Sequence, residues 1–414
     1  MRLGHSTNYI PWLILGCVWL VTLSLYILMQ CISPLLPILI IDFELNHSTG
    51  GFLYSLPILM IALFSYPSGI LSDRIGVEIA VGCGATVAIL SSFIRPFSPN
   101  FHLFLLSTAM FGLGFAICFP NLPKLVKENF PQHLSGTATG VYTTAILVGS
   151  GFGMALTKPL LAATGSWREV LVIWSLMAIP IIALWWIMAR MSRKRRGRSE
   201  SKAFQKETPR DKTIRLLNDH QGDHYPHQLI RSVMIAGSIL SLLNLIFYAT
   251  IGWLPTYLTE RGWDPVLAAT ATSVISFLEI PAVLLVPMLS DRTGRRRLIM
   301  ISSFLLLAIS SATISLSPSS FWLLSPVFGV TFGGIFALIL SLPVELVKQE
   351  QVGRAAGAII SIGYIGALTG APITGYLRDL TGDFSFGFIV MGFVGLMAAG
   401  LSYILPEKRI SRGG

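Results

Sequence analysis

The chain is 414 residues long, 53% hydrophobic and only 12% charged, with a formal net charge of +10. Water-soluble domains carry about a quarter charged residues, so this composition excludes an ordinary soluble enzyme or binding module. The positive excess is also too local for a nucleic-acid surface: 12 basic and 5 acidic residues fall in the single stretch from Arg190 to Arg231.

Apolar runs longer than about 18 residues predict membrane-spanning helices. Twelve are present, at 12–33, 50–70, 79–95, 101–121, 135–157, 170–190, 230–256, 266–287, 297–316, 320–341, 354–376 and 385–405. The first, from Pro11 to Met29, exceeds the roughly 7–15 apolar residues of a secretory leader and is read as a retained anchor. The Asn46-His-Ser48 sequon that follows lies too close to the bilayer to matter. The second span leads into Gly69-Ile-Leu-Ser-Asp-Arg-Ile-Gly76. The four cysteines, Cys17, Cys31, Cys83 and Cys118, fall in first-half spans without disulfide or metal spacing and are read as small packing residues. Span five carries Gly149, Gly151 and Gly153, and its echo, span eleven, carries Gly363, Gly366 and Gly370. Small residues at such spacing let helices approach closely in lipid, so these spans are expected at moving interfaces.

Residues 191–229 form a polar, basic linker between halves at 1–190 and 230–414. The linker is expected to lie in the cytosol against anionic headgroups. Its Asp219-His-Gln-Gly-Asp-His-Tyr-Pro-His227 tract has no standard metal-ligand spacing and is read as a solvated loop. The eighth span leads into Pro287-Met-Leu-Ser-Asp-Arg-Thr-Gly294. Asp73 and Asp291, Arg74 and Arg292, and Gly76 and Gly294 each stand 218 residues apart, which marks an internal duplication. With both termini inside, 25 of the 30 basic residues face the cytosol and 5 face outward, so the positive-inside rule predicts that topology.

Few residues within the spans can carry chemistry. Among the acidic side chains, only Glu279 falls well inside an apolar run. A charged, unpaired carboxylate there costs about 2.5–3.5 kcal/mol on insertion scales, so it is expected to face a cavity and bind a proton or a cation. Tyr26 and Gln30 on span one, Tyr142 on span five, Asn244 and Tyr248 on span seven, and Tyr364 on span eleven are candidate solute contacts or interhelical bonds. Lys158 and Arg95 are expected at outer helix ends, snorkelling to water, with Lys158 able to draw an anion to an outer mouth. Pro57, Pro180 and Pro281 are expected to bend their helices. No His-Glu-x-x-His and no Gly-x-Ser-x-Gly elbow is found, so an enzyme is not expected, and neither a cofactor nor a metal is implied.

The two Ser-Asp-Arg-x-Gly turns resemble the loop signature Gly-x-x-x-Asp-Arg-x-Gly-Arg-Arg of the major facilitator superfamily. The second copy keeps the basic tail, while the first has Val77-Glu78 in its place. The resemblance covers essentially the whole chain. It implies an all-α integral membrane fold of 12 transmembrane helices in two six-helix bundles, a mid-membrane cavity and a rocker-switch cycle. It also implies gate contacts from Gly69, Asp73, Arg74, Gly76, Asp291, Arg292 and Gly294. Two departures matter. Thr108 stands where many proton-linked members carry an arginine four residues before Gly112. Gly149-Ser-Gly-Phe-Gly153 lacks the Gly-Pro pair of drug antiporters. Leu122-Pro-Lys-Leu-Val-Lys-Glu-Asn-Phe-Pro131, Gly140-Val-Tyr-Thr-Thr144 and Trp253-Leu-Pro-Thr-Tyr257 are similar to the cyanate and nitrate-like permease branch, but spans two and eight contain no nitrate-binding arginine.

The expectation is therefore a monomeric, proton-coupled transporter of a small polar solute such as an organic anion, in a bacterial inner membrane. It would have lipids and protons as its other partners and no nucleic acid. The alternatives are an exporter of amphipathic cations and a non-transporting receptor or scaffold of the same fold.

Overall fold

The computed structural model describes residues 10–203, 227–346 and 352–405. Most of the 191–229 linker, with its His/Asp tract, lies outside the described residues. Fourteen α-helices are present among them: α1 Ile10–Gln30, α2 Ile32–Asp42, α3 His47–Ile75, α4 Val77–Ile94, α5 Phe101–Cys118, α6 Leu122–Asn129, α7 Gln132–Thr164, α8 Trp167–Ala203, α9 His227–Glu260, α10 Pro265–Thr293, α11 Arg296–Leu316, α12 Phe321–Leu346, α13 Val352–Thr381 and α14 Ser385–Ile404. They make twelve passes long and apolar enough to cross a membrane, α1 with α2 forming the first. Six passes precede residue 203 and six follow residue 227, here called the first and second halves. The end carrying the turns at 43–46, 165–166 and 382–384 is called distal. The other end, where the described residues begin and end, is called terminal.

Local chemistry explains the boundaries. Asn46 caps α3 by accepting from the Thr49 N–H at 2.7 Å, and Asn100 caps α5 through the Leu103 N–H at 3.0 Å. Asp264 caps α10 through the Val266 and Leu267 N–H groups, with Pro265 in the first turn where its missing donor costs nothing. The first pass breaks at Cys31 because Pro34 cannot donate to the Gln30 carbonyl. By contrast α3, α8 and α10 run unbroken through Pro57, Pro180 and Pro281.

The two predicted turns have matching geometry. Gly76 and Gly294 take positive φ, 92° and 65°, and each donates its N–H to the serine four residues back, Ser72 at 3.0 Å and Ser290 at 2.9 Å. These glycines end the helices, and neither turn has a side-chain cap at the start of the next helix. Asp73 pairs with Lys124 of α6.

Helices in lipid gain little from apolar burial against one another, so close backbone approach matters more. A Cβ on Gly149 or Gly153 of α7 would sit 2.6 Å from the Leu23 carbonyl oxygen or 2.8 Å from that of Ile27 on α1. In the second half, a Cβ on Gly366 or Gly370 of α13 would collide with the carbonyls of Ser241 or Leu245 on α9. These glycines thus weld helices within a half, while the spans that carry them also meet the other half, α7 against α10 and α13 against α3. Gly151 is different and faces the Phe277 ring of α10 across the seam.

The halves meet at their distal ends. Ser33 donates to the Ile251 and Gly252 carbonyls at 2.7 and 3.0 Å, and Thr270 reaches the Ala155 carbonyl at 3.5 Å. Asp379 of α13 receives the His47 N–H at 3.0 Å and the Ser48 N–H at 2.8 Å, and lies 2.7 Å from His47 Nδ1. A carboxylate from the second half thereby completes the N-terminus of a helix in the first, where unpaired N–H groups and the helix dipole favour negative charge.

Candidate functional site

Midway along the passes the two halves face each other across a tyrosine cluster. Tyr26 on α1 lies within electrostatic range of Tyr142 on α7, Tyr248 on α9 and Tyr364 on α13. Tyr26, Tyr248 and Tyr364 keep some accessible surface although they are deep within the fold, so they line an internal space. Tyr142 is buried. Sequence reasoning named these four separately, and the structure brings them together. On the 218-residue offset of the two halves, Tyr26 corresponds to Asn244 and Gln30 to Tyr248, so the four tyrosines are not repeats of one another.

Aromatic rings back the cluster on both sides. In the first half, Tyr26 meets Phe115 and Phe119 with ring centroids 5.3 and 6.0 Å apart. In the second, Tyr248 lies 5.3 Å from Phe247, which lies 5.1 Å from Phe332. Tyr54, which the sequence reading did not single out, joins the halves: its ring is 6.3 Å from that of Tyr248, and its hydroxyl donates to Gln30 Oε1 at 2.6 Å. Gln30 is buried, and this bond leaves its amide N–H groups free for another acceptor. Asn244 instead spends its amide on the Gly363 carbonyl at 3.1 Å, tying α9 to α13.

Glu279 sits on α10 where Gly329 and Gly333 of α12 allow close backbone contact. It is 6% exposed, lies within electrostatic range of Tyr248, and its Oε1 has no hydrogen-bond partner among the described residues. A buried carboxyl group with a vacant oxygen is costly when ionised, so it calls for a proton or an incoming donor.

The basic side chains are not at this site. Lys158 of α7 is buried, beyond the Ala155–Thr270 contact toward the distal end. Arg95 corrects an expectation. Rather than snorkelling, it is 1% exposed inside the first half, with its guanidinium 4.3 Å from the Phe111 ring centroid and one N–H donated to the Leu28 carbonyl at 3.2 Å. Pro96, in the short 3₁₀ turn Arg95–Phe97, folds the chain over at that point. Thr108 donates to the Phe104 carbonyl within its own helix.

The predicted gate residues lie at the terminal end. Asp73, Arg74, Asp291, Arg292 and Gly294 are exposed, and Gly69 and Gly76 partly so. Among the described residues, no hydrogen bond or ion pair from either turn crosses to the other half. The missing basic tail of the first copy has a visible outcome: Glu78 is buried, accepting from Ser192 Oγ at 3.1 Å, and its carbonyl accepts from Trp185 Nε1 at 3.2 Å, so it ties α4 to α8.

Comparison with known proteins gives a consistent picture. The family model described as Major Facilitator Superfamily matches residues 18–371 and 271–413. The chain is 24% identical to the uncharacterized transporter YycB of Bacillus subtilis (strain 168), covering 96% of each chain. It is 25% identical to the 2-nitroimidazole transporter of Escherichia coli (strain K12), over 89% of this chain and 88% of that one. It is 24% identical to the cyanate transport protein CynX of the same organism, over 93% and 95%. Among solved structures, a bacterial homologue of the human lysosomal transporter Spinster, inward-facing and unoccupied, superposes with a TM-score of 0.75 at 14% identity, covering 97% of each chain. A D-xylose-proton symporter gives 0.75 at 15% identity, over 96% and 98%.

Proposed function

The chain belongs to the Major Facilitator Superfamily and is a transporter of small solutes, and from that premise we propose that it moves a small polar solute by alternating access, with a proton carried on Glu279. The observation that carries this reading is the Glu279 carboxyl group, buried beside the inter-half tyrosines with one oxygen unpartnered. Burial makes its charged and neutral forms differ sharply in energy, so its protonation is sensitive to which side of the membrane it meets.

The positive-inside bias of the sequence supports a distal end outside the cell, termini in the cytosol and a bacterial inner membrane. On that orientation the contacts at Ser33, His47, Asp379 and Thr270 close the outer mouth. The Asp-Arg turns are free to close the inner one in the alternate state. The polar span 191–229 is the linker that lets the halves rock as a monomer. Relatives named for cyanate and 2-nitroimidazole support a small polar cargo. The vacant carboxylate among aromatic faces also suits a second reading, export of amphipathic cations, with Glu279 recognising the positive charge.

The test is uptake into proteoliposomes from a panel of carboxylates, inorganic anions, uncharged rings and cationic drugs. An imposed pH gradient should concentrate at least one of them. Glu279→Gln should abolish that accumulation and keep equilibrative exchange. Full accumulation by the variant sinks the coupling role of Glu279.

A further inference from the structure

The space between the halves has a particular chemistry. Its walls are aromatic on both sides, with Tyr26 and Phe119 from the first half and Tyr248 and Phe247 from the second, and Phe115 and Tyr54 buried behind them. Its hydrogen-bonding groups are neutral: four tyrosine hydroxyls and the Gln30 amide. Among the described residues, the one ionisable acid there is Glu279, and no basic side chain stands with it. Arg95 is committed to Phe111 and Leu28 inside the first half, and Lys158 lies beyond the closed distal seam. An anion entering this site would lose its water without gaining a cation and would face a carboxyl group. A flat ring would stack between opposed aromatic walls and exchange its hydration for hydroxyl and amide partners.

We infer that the solute held between the halves is a planar, uncharged heteroaromatic ring rather than an organic anion. This rests on the reading of that space as the transport route. The tyrosine hydroxyls of the two halves offer donors and acceptors on both sides of the ring, and Gln30 adds N–H donors at one edge. Glu279 stands beside Tyr248 and senses whether the ring is seated.

The experiment is a thermal-shift and fluorescence-titration series on the purified full-length protein. The probes are pyridine, imidazole and pyrimidine rings, each as an uncharged member, a carboxylate and an N-methyl cation; nicotinamide, nicotinate and 1-methylnicotinamide form one such trio. At least one uncharged member should bind roughly tenfold or more tighter than both counterparts. Tyr26→Leu and Tyr248→Leu should each weaken that binding about tenfold, as loss of a stacking partner does. Melting temperature without ligand reports whether either variant is misfolded, and Tyr248→Phe, which keeps the ring, should retain most of the affinity. Tighter binding of the carboxylates or of the cations overturns the inference, and so does failure of every uncharged ring to bind at millimolar concentration. Glu279→Gln separates the two readings. If it binds rings normally but still accumulates solute on a pH gradient, the coupling proposal alone fails. If carboxylates bind best while coupling still depends on Glu279, the ring proposal alone fails.

Discussion

Replacing Asp379 should open the distal seam. Its carboxylate accepts two backbone N–H bonds at 3.0 and 2.8 Å from the first turn of a helix in the other half and contacts the His47 ring at 2.7 Å. Loss of an N-cap acceptor costs about 0.5–2 kcal/mol. The His47 pair adds little, because both side chains keep a fifth to a quarter of their surface in water, 22% and 24%. All these contacts cross the seam, so the whole loss falls on the closed state. About 1–2 kcal/mol shifts the closed-to-open ratio by about 5- to 30-fold. Ser33→Cys provides the reporter, since Ser33 is fully buried at the same seam. In a background lacking the four native cysteines, its alkylation rate by a polar maleimide follows the open population. Asp379→Ala should raise that rate about 5- to 30-fold, and Asp379→Asn, which keeps one acceptor oxygen, by less. Asp264→Ala removes a helix cap at the same end without crossing the seam and should leave the rate unchanged. If Asp379→Ala labels no faster than the parent, the cross-seam cap does not hold the halves together.

Gly366→Ala should destabilise the protein by about 3 kcal/mol or prevent its folding, because the new methyl group meets the Ser241 carbonyl. Gly400→Ala, with open space around it, should leave the melting temperature unchanged. Arg95→Met should keep or raise thermal stability, since Arg95 buries two guanidinium nitrogens without partners, and a marked fall would show that the charge is compensated. Asp383, in the distal turn, is pushed upward by partial burial, but hydrogen bonds from the Ser385 N–H and hydroxyl and the Arg261 guanidinium outweigh that and hold its carboxyl below the usual value. Its contribution is therefore present above the ordinary carboxylate range and lost as pH falls through the lowered value. Asp383→Asn should melt below wild type at neutral pH and converge with it below about pH 4; a constant gap across that range refutes the assignment.

The spans were legible because apolar length is a strong signal, and the turn glycines were legible because only a positive φ explains a glycine repeated at a helix end. The tyrosines could be named as polar groups in apolar runs, but their convergence depends on how the halves face each other. Tyr54 escaped notice because it lies close to the predicted start of its span, where tyrosine is ordinary at a membrane interface. Asp379 reads as one more charge at a helix end, and its partner is 332 residues away in sequence. Arg95 was misplaced for a similar reason: snorkelling is the rule for a basic residue at a helix end, and only the packing of Leu28 and Phe111 around it shows the side chain turned inward.

Each half contributes two of the four clustered tyrosines, Tyr26 and Tyr142 from the first and Tyr248 and Tyr364 from the second, but the carboxylate comes from one half alone. The second pass, His47–Ile75, carries no acidic residue before Asp73, so nothing in the first half answers Glu279 of the eighth. The receptacle thus has two similar sides and a single acid, which gives it handedness. The two halves have ceased to be interchangeable parts. A chimera built from two copies of the first half would inherit the cradle without its single acid, and one built from two copies of the second would carry twin acids within reach of each other, a charge burden the natural chain never bears.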